Sequence, residues 1–135
     1  MSTDQSPSYV AASQAHILVV DDDPFVTQVI VETLIGEGYQ LDSVANGVAA
    51  LEKIKRERYD LILSDLHMPQ LDGVGLYQAL AQRQDRPLEH IIFLTGSAGS
   101  SELHSYLDEA GLPVLRKPFT LAELLQLVHR ALTSR

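Results

Sequence analysis

The chain is predicted to be an α/β protein, a doubly wound five-stranded parallel sheet flanked by five helices. Three observations carry that prediction. Five short apolar runs alternate with helical patterns along 135 residues. Three of those runs are almost continuously apolar, the mark of strands covered by helices on both faces. Acidic, hydroxyl and lysine residues recur where the runs end, and doubly wound sheets place their working sites beyond the carboxyl ends of their strands.

The apolar runs are Ile17–Val20, Leu41–Val44, Leu61–Leu63, Ile91–Leu94 and Val114–Leu115. The first, third and fourth are the near-continuous ones; the last is the shortest and is expected at a sheet edge. Asp23-Pro24 supplies an N-cap and a first-turn proline, and Val26, Val29, Ile30 and Leu34 mark one buried face of the helix that follows. Gly36 and Gly38 close it. Val48, Leu51 and Ile54 outline a second helix whose other face carries Glu52, Lys53, Lys55 and Arg56. Val74–Gln84 and Glu102–Ala110 are expected as the third and fourth. In the last, Thr120 and Glu123 form a capping-box pattern ahead of Leu121, Leu124, Leu125, Val128 and Leu132. Strand–helix units in this order imply right-handed crossovers and hence a parallel sheet with helices on both sides.

Composition narrows the function. The chain is 45% hydrophobic and 21% charged, which suits one soluble globular domain. It has no cysteine, so thiol nucleophiles, disulfides and cysteine metal sites are excluded. The formal net charge is −8 and the ten basic residues form no run, so nucleic acid is not expected as a partner. No apolar stretch reaches the length of a membrane span. Residues 1–15 lack the basic start and apolar stretch of a signal peptide and read as a polar, mobile tail ahead of a domain over 16–135. A cytoplasmic setting is the expectation.

The strand ends carry the chemistry. Asp21, Asp22 and Asp23 follow the first run, Ser64-Asp65 ends the third, Thr95-Gly96-Ser97 the fourth, and Arg116-Lys117-Pro118 the fifth. Clustered carboxylates repel unless a cation intervenes, and an oxygen-only donor set points to Mg²⁺. A carboxylate can attack a phosphoryl group directly, while a metal, a lysine and a hydroxyl offset its charge. Asp65, alone at the end of a central strand, is the candidate nucleophile. Asp21 and Asp22 are candidate metal ligands, Thr95 the hydroxyl donor and Lys117 the fixed cation. Asp23 reads as a helix cap.

The segments ILVVDDD (Ile17–Asp23), SDLHMPQLDG (Ser64–Gly73), FLTG (Phe93–Gly96) and LRKPF (Leu115–Phe119) together resemble the receiver domains of two-component response regulators. The resemblance runs from about His16 to Leu132 and implies a flavodoxin-like receiver fold. It implies that Asp65 is the phosphoacceptor and that Asp21, Asp22, Asp65 and the main-chain carbonyl of His67 bind Mg²⁺. Thr95 would be the switching hydroxyl, Lys117 the phosphate partner, the Lys117–Pro118 peptide cis, and Gly73 the residue permitting a turn after the active-site loop. The implied phosphodonor is a histidine kinase or a histidine phosphotransfer protein. The implied output is a contact with a downstream protein, or onward phosphotransfer, from the surface of the fourth helix, fifth strand and fifth helix. Homodimerisation through helical faces stays open.

One position departs from the family pattern. Many members carry an aromatic residue three positions before the lysine, where Val114 stands here. A valine is small and stiff at χ1, so no large aromatic swing can report activation. His67 and Ser97 are expected to tune the lifetime of the phosphoryl group. His16, His90, His104 and His129 share no metal-ligand spacing and read as surface or helix-face residues. Three other functions fit less well, among them a degenerate receiver that binds partners without phosphorylation, which the presence of all the chemical positions disfavours. Asp21-x-Asp23 after an apolar strand resembles the nucleophile motif of haloacid-dehalogenase-type phosphatases, with Asp21 phosphorylated and Asp23 as acid/base. Phe25 and the lack of an acidic pair after Lys117 speak against that reading. A flavin or nucleotide module would need a glycine- or hydroxyl-rich loop where the three aspartates stand.

Overall fold

A computed structural model describes residues 15–66, 73–82, 90–96, 105, 107, 109 and 111–133. Its strands are β1 (His16–Val20), β2 (Gln40–Val44), β3 (Leu61–Asp65), β4 (His90–Thr95) and β5 (Val114–Arg116). The bounded helices among the described residues are α1 (Pro24–Ile35), α2 (Gly47–Arg56), α3 (Gly73–Ala81) and α4 (Leu121–Thr133). Ser105, Leu107 and Glu109, within the fourth expected helix, are helical as well, and Leu107 is buried.

All strands run parallel in the order β2-β1-β3-β4-β5. The chain steps outward from β1 to β2, then crosses back to β3 on the other side. The crevice of such a sheet therefore opens at the carboxyl ends of β1 and β3. Register places Asp65 beside Leu94 and Thr95 beside Arg116, so the ends of β3, β4 and β5 lie level.

Two apolar layers sandwich the sheet. Ile17 and Val19 face Ile30, Leu34, Leu124 and Val128, from α1 and α4. Leu18 and Val20, pointing the other way, join Ala50 and Ile54 of α2 and Leu76 and Leu80 of α3. Period-two alternation is present, but both faces are dry, so the sequence shows an unbroken apolar run. β2, at the edge, buries none of its residues fully: Gln40 and Ser43 are exposed and the other three half-buried.

The helix ends follow local chemistry. The Asp23 carboxylate accepts from the Phe25 amide over 2.9 Å, with Pro24 in the first turn. Past α1, Gly38 takes φ 95°, where a side chain would be strained. Asn46 caps α2, its carboxamide oxygen accepting from Ala49 N over 2.8 Å. At α4, Thr120 Oγ1 accepts from Glu123 N at 3.1 Å and Glu123 accepts from Thr120 N at 2.8 Å, the reciprocal box expected there.

Three residues expected to face inward do not. Val29 is 36% exposed, Val48 47% and Leu121 48%. Ile30/Leu34, Ala50/Ile54 and Leu124/Val128 occupy the inward stripes, each pair four residues apart. Val29 sits one residue from that stripe, and the small Ala50 makes the α2 contact that Val48 was expected to make. The third helix is described over Gly73–Ala81, with Gln82 in a turn, so it ends before the expected Gln84; the residues just ahead of Gly73 lie outside the described residues. Of the expected tail only Ala15 is described; it is buried and its carbonyl accepts from Gln40 N over 2.9 Å, which joins it to the sheet.

Candidate functional site

Asp21 continues β1 directly into the crevice, its amide donating to the Val44 carbonyl over 3.2 Å. Its side chain is held from two directions. One oxygen accepts from the Asp23 amide at 2.9 Å and the other from Lys117 Nζ at 3.1 Å. Asp65 is the last residue of β3, the middle strand, and its carboxylate lies 3.7 Å from the same Nζ. Thr95, the last residue of β4, is fully buried, and its carbonyl accepts from the Lys117 amide over 2.7 Å. Its hydroxyl donates to the Gly96 carbonyl at 3.2 Å. The Lys117–Pro118 peptide is cis, as the resemblance implied.

Carboxylate oxygens of Asp21, Asp22 and Asp65 all lie within 4.8 Å of one another. Adjacent and opposite ligands on an octahedral shell of Mg²⁺ radius are separated by about 3 and 4 Å, so a small hard cation fits this set. The charge balance asks for one. Among the described residues the three carboxylates meet the Lys117 ammonium, a formal −2, and Asp21 and Asp65 are only 3% and 8% exposed. Two buried carboxylates beside a third exposed one are costly to keep charged unless a cation joins them.

Asp21, Asp22, Asp65, Thr95 and Lys117 are thus placed at the ends of adjacent strands, and all but Asp22, which is exposed, are largely or wholly withdrawn from water. His67 and Ser97 lie outside the described residues. Val114 is half-buried and packs on the layer that contains Leu107 and Phe93. Asp23 spends its carboxylate on the α1 cap, so it is not presented as an acid/base partner of Asp21.

Sequence reasoning missed several neighbours. Phe25 stands 75% exposed one turn from Asp21, and with Val29 and Leu121 it rims a shallow cleft that also touches Lys117. A helix pattern that buries Val26 and Ile30 could have flagged Phe25 as outward-facing. His16 and His90, expected at the surface, are half-buried instead. His16 Nε2 meets Asp42 at 2.9 Å, and His90 Nδ1 donates to the Ala131 carbonyl at 2.7 Å. No helix among the described residues is long and apolar enough to cross a membrane.

Comparison with known proteins gives the same picture. The chemotaxis response regulator CheY4 of Vibrio cholerae matches at TM-score 0.78 and 30% identity, over 87% of this chain and 98% of that one. The receiver domain of the sensor histidine kinase PA1611 from Pseudomonas aeruginosa, solved with magnesium coordinated in its active site cleft, matches at TM-score 0.76 and 36% identity, over 89% of this chain and 98% of that one. Response regulator MprA of Mycobacterium leprae is 38% identical over 120 residues, covering 88% of this chain and 51% of its own length. The DNA-binding transcriptional regulator NtrC of Escherichia coli is 32% identical over 117 residues, covering 87% of this chain and 24% of its own length. The chain therefore spans about half of the first regulator and a quarter of the second. Nothing supports the phosphatase alternative. The family model for the response regulator receiver domain matches residues 17–129, most of the chain, and the protein belongs to that family.

Proposed function

We propose that this receiver domain accepts a phosphoryl group on Asp65 and passes the resulting change to a partner protein. The observation that carries the reading is the convergence of Lys117 Nζ on Asp21 and Asp65, 3.1 and 3.7 Å away, inside a cluster of three carboxylates. An Asp65 oxygen attacks phosphorus, the bond from phosphorus to the donor's imidazole nitrogen breaks, and an acyl phosphate forms. Water later attacks phosphorus and releases inorganic phosphate. Asp21, Asp22 and Asp65 would hold Mg²⁺, with the His67 carbonyl as a further ligand, and the ion supplies charge neutralisation for the transferring group. Lys117, anchored through its amide to Thr95, offers its ammonium to the same group. Thr95 follows the new charge with its hydroxyl.

The donor is read as a phosphohistidine of a histidine kinase or a histidine phosphotransfer protein. Phe25, Val29 and Leu121 give its helices an apolar seat beside the acceptor. Output is read as a protein contact or onward phosphotransfer in the cytoplasm, through the surface around β5 and α4. The net charge of −8 argues against direct binding to nucleic acid. The test is uptake of labelled phosphoryl from acetyl phosphate by the wild type, by Asp65→Asn, and by the wild type in a chelator. Label in the first alone supports the reading; equal label in Asp65→Asn overturns it.

A further inference from the structure

Toward the amino-terminal end of the sheet, away from Asp65, a second group of side chains gathers that phosphoryl chemistry does not use. His16 opens β1, Asp42 lies in β2, and Glu57 follows α2. The His16 ring nitrogen and one oxygen from each carboxylate lie within 4.8 Å of one another. We propose that His16, Asp42 and Glu57 form a second cation site, selective for a borderline divalent ion of the Zn²⁺ class.

The donor set argues for that class. One imidazole with two carboxylates suits Zn²⁺ and its neighbours, whereas the all-oxygen set around Asp65 suits Mg²⁺. A separate observation shows that the place attracts positive charge. Lys53 Nζ sits 4.0 Å from Asp42 and 3.7 Å from Glu57, so an ammonium already occupies the position of a cation between the two carboxylates. Its side chain is 38% exposed on a flexible stem and can withdraw into water. Two carboxylates against one ammonium leave a formal −1, which a divalent ion in place of Lys53 would neutralise to zero.

The ligands are also held in place. The Tyr59 hydroxyl donates to Asp42 at 2.7 Å, and the Tyr59 ring packs on the His16 ring with centroids 4.4 Å apart. The His16 amide donates to the Asp60 carboxylate at 2.9 Å, and the His16 carbonyl accepts from the Asp60 amide at 2.7 Å. Such outer contacts fix ring and carboxylate orientation in metal sites.

The test is calorimetric titration with ZnCl₂ while Mg²⁺ in large excess fills the acidic site. The wild type is expected to take up one Zn²⁺ per chain. His16→Ala should weaken binding at least tenfold or so, and Glu57→Gln, at a solvent-facing position, should do likewise without disturbing the fold. Lys53→Gln should tighten binding by removing the competing ammonium. Line broadening by Ni²⁺ in nuclear magnetic resonance spectra should centre on His16 and not on His90 or His129. No saturable uptake, unchanged affinity in both His16→Ala and Glu57→Gln, weaker binding in Lys53→Gln, or broadening centred elsewhere would each overturn the proposal.

Discussion

Lys117 and Thr95 are joined through the main chain: the amide of the lysine donates to the carbonyl of the threonine over 2.7 Å. The end of β4 therefore fixes where the Lys117 side chain enters the crevice. The Thr95 hydroxyl and the Lys117 ammonium, which we propose meet the same phosphoryl group, are linked through this main-chain bond.

Thr95→Ala keeps that main-chain link and removes only the hydroxyl. Uptake of phosphoryl on Asp65 should persist. The amide shifts of Val114–Arg116 and α4 that accompany phosphorylation in the wild type should shrink or vanish. Nuclear magnetic resonance spectra of both forms check this, and unchanged shifts in the variant would place the relay elsewhere.

Lys117→Met leaves Asp21 and Asp65 without their ammonium. Tm in a chelator should fall by several degrees, because removing one partner of a buried ion pair leaves its charge uncompensated. Mg²⁺ should raise the Tm of this variant more than that of the wild type, while the rate of phosphoryl uptake falls roughly 100-fold or more. Thermal melts with and without Mg²⁺, together with uptake rates, measure both effects.

Asp42 should give the fold an acid-sensitive contribution. Burial works to raise its pKa, but the Tyr59 hydrogen bond and the charges of His16 and Lys53 outweigh burial and hold it below 3.8. A carboxyl whose folded pKa is depressed stabilises the fold above its unfolded pKa and loses that contribution as pH falls through the folded value. Asp42→Asn should therefore lower Tm at neutral pH and flatten its decline below about pH 4. An identical acid limb in wild type and variant would contradict the assignment.

The capping box should be worth its ordinary amount. Thr120→Ala is expected to destabilise by about 1 kcal/mol, a Tm loss of about 4 °C, with no effect on phosphoryl uptake. Leu34→Ala, in the buried layer beneath α1, should cost about 2–5 kcal/mol. Denaturant unfolding separates the two.

Much of this was legible in the sequence, for physical reasons. Strands buried on both faces must be apolar throughout, so β1, β3 and β4 announced themselves. Asp21, Asp65, Thr95 and Lys117 were legible because a parallel sheet aligns its strand ends, whatever the helices do between them. What escaped was side-chain direction. Val29, Val48 and Leu121 have the right chemistry for a core but fall off the inward stripe, and a rotation of one residue is hard to read from a short helix. The pairing of His16 with Asp42 escaped because it joins neighbouring strands 26 positions apart, where local spacing carries no signal.

The most direct test of the central claim is to incubate the protein with acetyl phosphate and Mg²⁺ and locate the added phosphoryl group by mass spectrometry. A single adduct on Asp65, absent without Mg²⁺, is expected. An adduct on Asp21, or none on Asp65 even with a phosphohistidine donor present, would contradict it.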